Sequence, residues 1–154
     1  MNLVNYTMEN NIDLRLMTIL LRSSQSIEAA IRLEVGKYNL NPTEFGVLEV
    51  LYNKGRLPIQ SIMEKILIAK SSMSYCIEQL VNKKLVNKKQ DDDDRRIYFI
   101  ELTNQGVKFM DQMFPKHVKF INNLFNTVED KNKIILVESL KKIGLKAQKI
   151  KENK

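Results

Sequence analysis

Residues 85–102 read Leu85-Val86-Asn87-Lys88-Lys89-Gln90, then Asp91-Asp92-Asp93-Asp94, then Arg95-Arg96-Ile97-Tyr98-Phe99-Ile100-Glu101-Leu102. The first run is short and extended, the aspartates form a tip, and the last run is rich in β-branched and aromatic residues. Together they predict a β-hairpin. On either side the apolar residues recur at three and four instead of two, so the hairpin stands alone among helices.

Three short helices are predicted before it. Asn41-Pro42-Thr43-Glu44 opens the first, with Asn41 as N-cap, Pro42 at N1 and Glu44 at N3 reaching back in a capping box. Phe45, Leu48 and Leu51 form its apolar face, with Val47 and Tyr52 beside it, and Gly55 ends it. Pro58 opens the second, Ile59 to Ile66, with Ile59, Ile62, Met63 and Ile66 inward. The third starts near Ser71 or Ser72 and runs to Lys83, with Met73, Cys76, Ile77 and Leu80 inward. Its outward face, Ser71, Ser72, Ser74, Tyr75, Glu78, Gln79 and Asn82, is polar but only lightly charged, unlike a merely solvated face.

Long helices flank this core. Leu16, Ile19, Leu20, Ile27, Ala30 and Ile31 place one over residues 13–37, with Gly36 as its stop. After the hairpin, Thr103 is the N-cap of a helix carrying Val107, Met110, Phe114, Val118, Ile121 and Phe125, with Pro115 expected to kink it. A last helix, from about Glu129 to Lys151, carries Ile134, Val137, Leu140 and Ile143.

Three short helices and a hairpin are the layout of a winged helix-turn-helix. The predicted fold class is mainly α with a small β-hairpin. A winged helix-turn-helix core over about 41–102 is flanked by dimerisation helices over 13–37 and 103–151, in a single domain spanning 1–154. The flanking helices have apolar stripes that so small a core cannot cover, which implies a homodimer.

Composition narrows the function. The chain has 154 residues, a formal net charge of +7, one Cys and one His. One cysteine excludes an intrachain disulfide framework, and one histidine excludes a His-rich zinc site. No Gly-rich phosphate loop, Ser–His–Asp order or metal cluster is apparent, so neither an enzyme nor a cofactor is expected. Residues 54–100 carry 10 Lys/Arg against 6 Asp/Glu, and residues 131–154 carry 8 against 2. The second excess suits a solvated helix face; the first surrounds the hairpin and points to a polyanion. Met1 to Asn11 is polar and lacks the apolar core of a signal peptide, and no apolar run approaches a membrane span, so a cytoplasmic protein is expected.

Asn41-Pro42-Thr43-Glu44-Phe45 with Val47-Leu48, then Ser71-Ser72-Met73-Ser74, Asp94-Arg95-Arg96 and Leu102-Thr103-Asn104-Gln105-Gly106 resemble the MarR family of winged helix-turn-helix transcriptional regulators. The resemblance runs from about Asp13 to Ala147. Leu40 to Leu51, with Phe114-Pro115-Lys116-His117, is most similar to the quinone-responsive, MhqR-like branch. The resemblance implies a homodimeric repressor on a palindromic operator in double-stranded DNA, released by a small phenolic or quinone-like effector or an oxidant. It also implies that Arg96 enters the minor groove while Asp94 orients it. Two departures stand out. Lys84 occupies the place where the family has Gly after the DNA-reading helix, and a left-handed non-Gly residue costs about 1 kcal/mol. Four aspartates occupy the tip where one or two acids are usual.

The candidate DNA-binding residues are therefore Lys70, Ser71, Ser72, Ser74, Tyr75, Gln79, Arg95 and Arg96. Small hydroxyls and an amide suit base edges, Lys70 and Arg95 suit phosphates, and an arginine at the tip suits a narrow minor groove. Asp91, Asp92 and Asp93 have no role by this reading except to oppose the field of DNA. Cys76 reads as inward packing and His117 as a surface or interface residue. The competing class is a helical ligand- or protein-binding dimer with weak or lost DNA binding, favoured by the acidic tip.

Overall fold

The computed structural model describes residues 11–66 and 70–152, and of 70, 71, 151 and 152 the backbone alone. Among the described residues six helices and three strands follow in the order α1 (Ile12–Gly36), α2 (Pro42–Lys54), β1 (Leu57–Pro58), α3 (Ile59–Ile66), α4 (Lys70–Asn82), β2 (Val86–Gln90), β3 (Tyr98–Leu102), α5 (Asn104–Phe125) and α6 (Asp130–Glu152). Two compact units divide the chain, Met1–Met113 and Phe114–Lys154.

In the first unit α2 is the hub, packing against α1, α3, α4 and β3. Its N-terminus is closed as its residues dictate. The Asn41 side chain accepts from Glu44 N at 2.9 Å, and the Glu44 carboxylate accepts from Asn41 N at 2.9 Å. Two of the orphan N–H groups at the helix start are thereby satisfied. Phe45, Val47, Leu48 and Leu51 are buried against Ile62, Met73, Ile77, Leu80 and Ile100 in one core. A fully buried Leu or Ile contributes about 1.5–3 kcal/mol, so this cluster holds the three short helices together.

α1 ends at Gly36, the expected stop, but not through a left-handed glycine. Gly36 remains within the helix, and the left-handed residue is Asn39 at φ 57°. Leu40 N donates to Val35 O at 3.4 Å and Asn39 N to Gly36 O at 3.0 Å, the two bonds of a Schellman end. Asparagine tolerates this region better than most side-chain-bearing residues, which is why it can replace glycine here.

The hairpin forms with β2 and β3 antiparallel, Val86 opposite Leu102 and Gln90 opposite Tyr98. A third strand accompanies it. Pro58, read as opening a helix, pairs with Phe99, and Leu57 before it with Ile100, giving the order β1-β3-β2. Two residues are too few to show a period. Proline is tolerated there because an edge position asks for no N–H on its open side.

The motif Leu102-Thr103-Asn104-Gln105-Gly106 joins the sheet to α5. Thr103 Oγ1 accepts from Gly106 N at 2.9 Å, capping α5, and donates to Lys84 O at 2.7 Å. Thr103 N donates to Leu85 O at 3.0 Å. α5 runs on without a break through Pro115. Tyr52 Oη donates to Asp111 Oδ1 at 2.7 Å, fixing α2 to the first half of α5.

The second unit holds the remainder of α5 and α6. Ile134, Ile135, Leu136, Val137, Leu140 and Ile143 on α6 are all at least 40% exposed. His117, read as a surface or interface residue, is buried, with its ring 6.4 Å from that of Phe120.

Candidate nucleic-acid interface

α4 separates its two faces as its spacing requires. Met73, Cys76, Ile77 and Leu80 are buried, while Ser72, Ser74 and Tyr75 are exposed and Gln79 is half-buried. Lys70 and Ser71 form the first turn of the helix; their side chains lie outside the described residues. Tyr75 is 63% exposed, an aromatic ring in water without a hydrophobic reason to be there. The helix ends on a second Schellman turn, in which Leu85 N donates to Leu80 O at 3.0 Å and Lys84 N to Val81 O at 2.8 Å. Lys84 takes φ 59°, so the turn is the one glycine would make, with the strain retained.

The wing tip is organised by two of its four aspartates. Asp94 Oδ1 accepts from Arg96 N at 3.0 Å and Arg96 Nε at 3.1 Å, while Asp94 Oδ2 accepts from Arg96 Nη2 at 3.0 Å. The Arg96 side chain bonded to it, and then the Arg96 backbone N–H, hold the Asp94 carboxyl below the usual carboxylate range. An exposed ion pair of this kind adds little stability. What it does is fix the direction of a guanidinium whose side chain is 91% exposed. Asp91 also has a task that spacing did not reveal. Its Oδ1 accepts from Asp93 N at 3.1 Å and Asp94 N at 3.0 Å, closing the turn as an aspartate-capped loop. Arg95 is exposed, and its carbonyl accepts from the Gln90 side chain.

A cleft of about 370 Å³ joins these parts, lined by Pro58, Ile59, Gln60, Met63, Ser74, Arg96, Ile97 and Tyr98. Ser74 from the helix and Arg96 from the wing thus border one groove. Two cations lie against the sheet. Lys88 Nζ sits 4.5 Å from the centroid of Tyr98, and the Arg56 guanidinium 4.3 Å from that of Phe99. Neither cation, nor Gln60, was singled out by spacing. The only hint was the basic excess over residues 54–100.

Cys76 is buried, and its thiol is pushed up to about 12, by burial first and then by the charge of Glu44, with Lys83 opposing. At neutral pH it carries no thiolate to react. Among the described residues no group of three or more His, Cys, Asp or Glu could hold a metal ion. No described helix is long and apolar enough to cross a membrane.

The helix-and-wing arrangement matches known proteins. The family model described as MarR family matches residues 40–98. The HTH-type transcriptional regulator MhqR of Bacillus subtilis (strain 168) is 36% identical over 88% of this chain and 93% of its own length. The chain belongs to the MarR family. It is a winged helix-turn-helix DNA-binding transcriptional regulator rather than an enzyme. Solved structures share the MarR fold at lower identity. AbsC of Streptomyces coelicolor has a TM-score of 0.80 at 20% identity, covering 86% of this chain and 92% of that one. BpsR of Bordetella bronchiseptica has a TM-score of 0.76 at 22% identity, covering 84% and 98%.

Proposed function

We propose that this MarR-family chain is a homodimeric, cytoplasmic repressor that binds a palindromic operator. In this reading α4 enters the major groove through Lys70, Ser71, Ser72, Ser74, Tyr75 and Gln79. Arg96, aimed by Asp94, enters the adjacent minor groove, and Arg95 meets a phosphate. The observation that carries the reading is the three-bond fork between Asp94 and Arg96, which holds an exposed cation beside the polar face of α4.

The dimer and effector complete the proposal. The exposed apolar residues of α1, including Leu16, Met17 and Ile19, and those of α6 are the surfaces that a second copy would cover. Two-fold symmetry would set the two reading helices about 34 Å apart, and the whole of 1–154 would then act as one functional domain. In this reading the effector is the small phenolic or quinone-like molecule, or the oxidant, that the sequence resemblance to the MhqR-like branch implies. The BpsR structure is described as showing regulation of DNA binding by 6-hydroxynicotinic acid, which supports an aromatic ligand more generally.

Selection from a randomised duplex pool, with light scattering on the free protein, tests this. A recovered palindrome and a mass twice 18.0 kDa are expected. A dimer that selects no sequence would favour the alternative reading, a ligand- or protein-binding dimer whose acidic tip repels DNA. An 18.0 kDa species alone would overturn the dimer.

A further inference from the structure

Lys83 lies where α4 ends, yet its side chain turns away from the DNA-reading face. Its Nζ donates to Glu44 Oε1 at 2.7 Å and to Asn39 O at 2.8 Å. Glu44 is almost fully buried, and its other oxygen closes the capping box of α2. Asn39 is the left-handed residue that ends α1. One ammonium group therefore binds the end of the reading helix to the corner where α1 turns into α2.

The rest of that end is also secured. Lys84 O accepts from Thr103 Oγ1 and Leu85 O from Thr103 N, so backbone bonds tie it to the start of α5. Those bonds fix where the chain leaves α4. Met73, Cys76, Ile77 and Leu80 seat the inner face of the helix in the core, and a side-chain tether at its C-terminal end adds a further restraint on its rotation and tilt. Lys83 reaches from the end of α4 to the α1–α2 corner, and α1 carries exposed apolar side chains at Leu16, Met17 and Ile19. The carboxylate at the far end of the tether is buried, so letting go would leave a charge without its partner.

We propose that Lys83 is a positioning residue for DNA recognition, setting the presentation of α4 through Glu44 and Asn39 and coupling it to the α1–α2 corner. The proposal rests on the DNA-reading role of α4 argued above. It requires no contact between Lys83 and DNA, which separates it from the phosphate-binding role that a lysine beside a reading helix would otherwise suggest.

The test uses the full chain with Lys83→Met, Lys83→Arg, Glu44→Gln and the Lys83→Met/Glu44→Gln double change. Binding is measured to a duplex that the wild-type chain selects from a random pool and to an unselected duplex, each across a salt series. All assays run below the melting transition of each variant. Lys83→Met keeps the aliphatic stem, and Glu44→Gln keeps an acceptor for the capping box. Each should lose roughly 3- to 30-fold in affinity for the selected duplex. Affinity for the unselected duplex and the salt slope should not change. The double change should lose no more than the larger single loss, and Lys83→Arg should recover most of it.

A drop in Lys83→Met on both duplexes, with the salt slope falling by about one, would make Lys83 a phosphate contact and overturn the proposal. Wild-type affinity in folded Lys83→Met, or losses that add in the double change, would overturn it equally. If Lys83→Met is unfolded at the assay temperature, Glu44→Gln decides by the same readings. A wild-type chain that selects no sequence removes the DNA-reading role itself, and the proposal with it.

Discussion

The carbonyl oxygen of Leu85 occupies the space beside Gly106 so closely that a Cβ on Gly106 would fall well inside 3.0 Å of it. The same carbonyl accepts from Thr103 N, so it cannot swing aside without breaking that bond. This is the physical content of the glycine in Leu102-Thr103-Asn104-Gln105-Gly106. The first turn of α5 packs directly on the peptide that follows the reading helix, and a side chain would push the two apart. Gly106→Ala should therefore cost about 3 kcal/mol or more in urea unfolding. Gly144 in α6 has nothing within 4 Å of an added Cβ, so Gly144→Ala should instead gain about 0.5–1 kcal/mol.

Lys84 makes the opposite case. Its left-handed backbone, at φ 59°, is a conformation suited to glycine. Lys84→Gly should stabilise the chain by about 1 kcal/mol, seen as a higher urea midpoint at unchanged slope. A loss of stability would mean that the lysine side chain supplies something that its exposed position does not suggest.

At the wing, Arg96→Ala should cost about 1–3 kcal/mol of operator affinity, on the scale of single base-reading contacts. Asp94→Asn should weaken specific binding by releasing the guanidinium. Asp94 is held below the usual carboxylate range, so the pair is present at neutral pH and is lost only as pH falls through that lowered value. The ratio of wild-type to Asp94→Asn affinity should accordingly stay constant between about pH 5 and pH 8. A ratio that collapses towards one at the acid end of that window would contradict the fork.

The remaining tip aspartates should not behave alike. Asp92→Asn and Asp93→Asn together should tighten binding to random duplex, because they remove charge and neither carboxylate accepts a hydrogen bond from the described residues. Asp91→Asn should join them, since an amide oxygen can still accept from Asp93 N and Asp94 N. Asp91→Ala removes that acceptor and should weaken operator binding. Gel shifts at two salt concentrations resolve all of these, because screening beyond about 8 Å at physiological salt weakens a charge effect but not a broken turn.

Cys76 should be inert in the native chain. With its thiol pushed up to about 12, Cys76 is almost entirely protonated at pH 8. Iodoacetamide should label native Cys76 far more slowly than the urea-unfolded chain. Cys76→Ser should leave any release of DNA by a quinone or peroxide unchanged. Release that disappears only in the cysteine variant would make it the sensor.

Local patterns were enough to place α4 and its two faces, the capping box at Asn41 and Glu44, the Thr103 cap and the hairpin. Each rests on residues within one or two turns of each other, where spacing maps directly onto a face or a hydrogen bond. The pairing of Asp94 with Arg96 was implied by the family resemblance and not by spacing, and the structure joins the two side chains across the turn.

What remained out of reach spans longer stretches or too few residues. β1 is two residues long, with no period to read, and it exists because Ile100 and Phe99 accept it as a neighbour. Asp91 looked like surplus charge because a turn closure depends on the path of the backbone through 91–97, which composition does not specify. Lys83 was read only as the end of a helix; its partners lie 39 and 44 positions away, at Glu44 and Asn39. The same holds for Leu85 and Gly106. Amino-acid order dictated which residues could cap, turn or be buried, since those are short-range properties of the side chain. Which distant carbonyl or carboxylate each would meet was settled only when the core around α2 brought the corner, the reading helix and the start of α5 together.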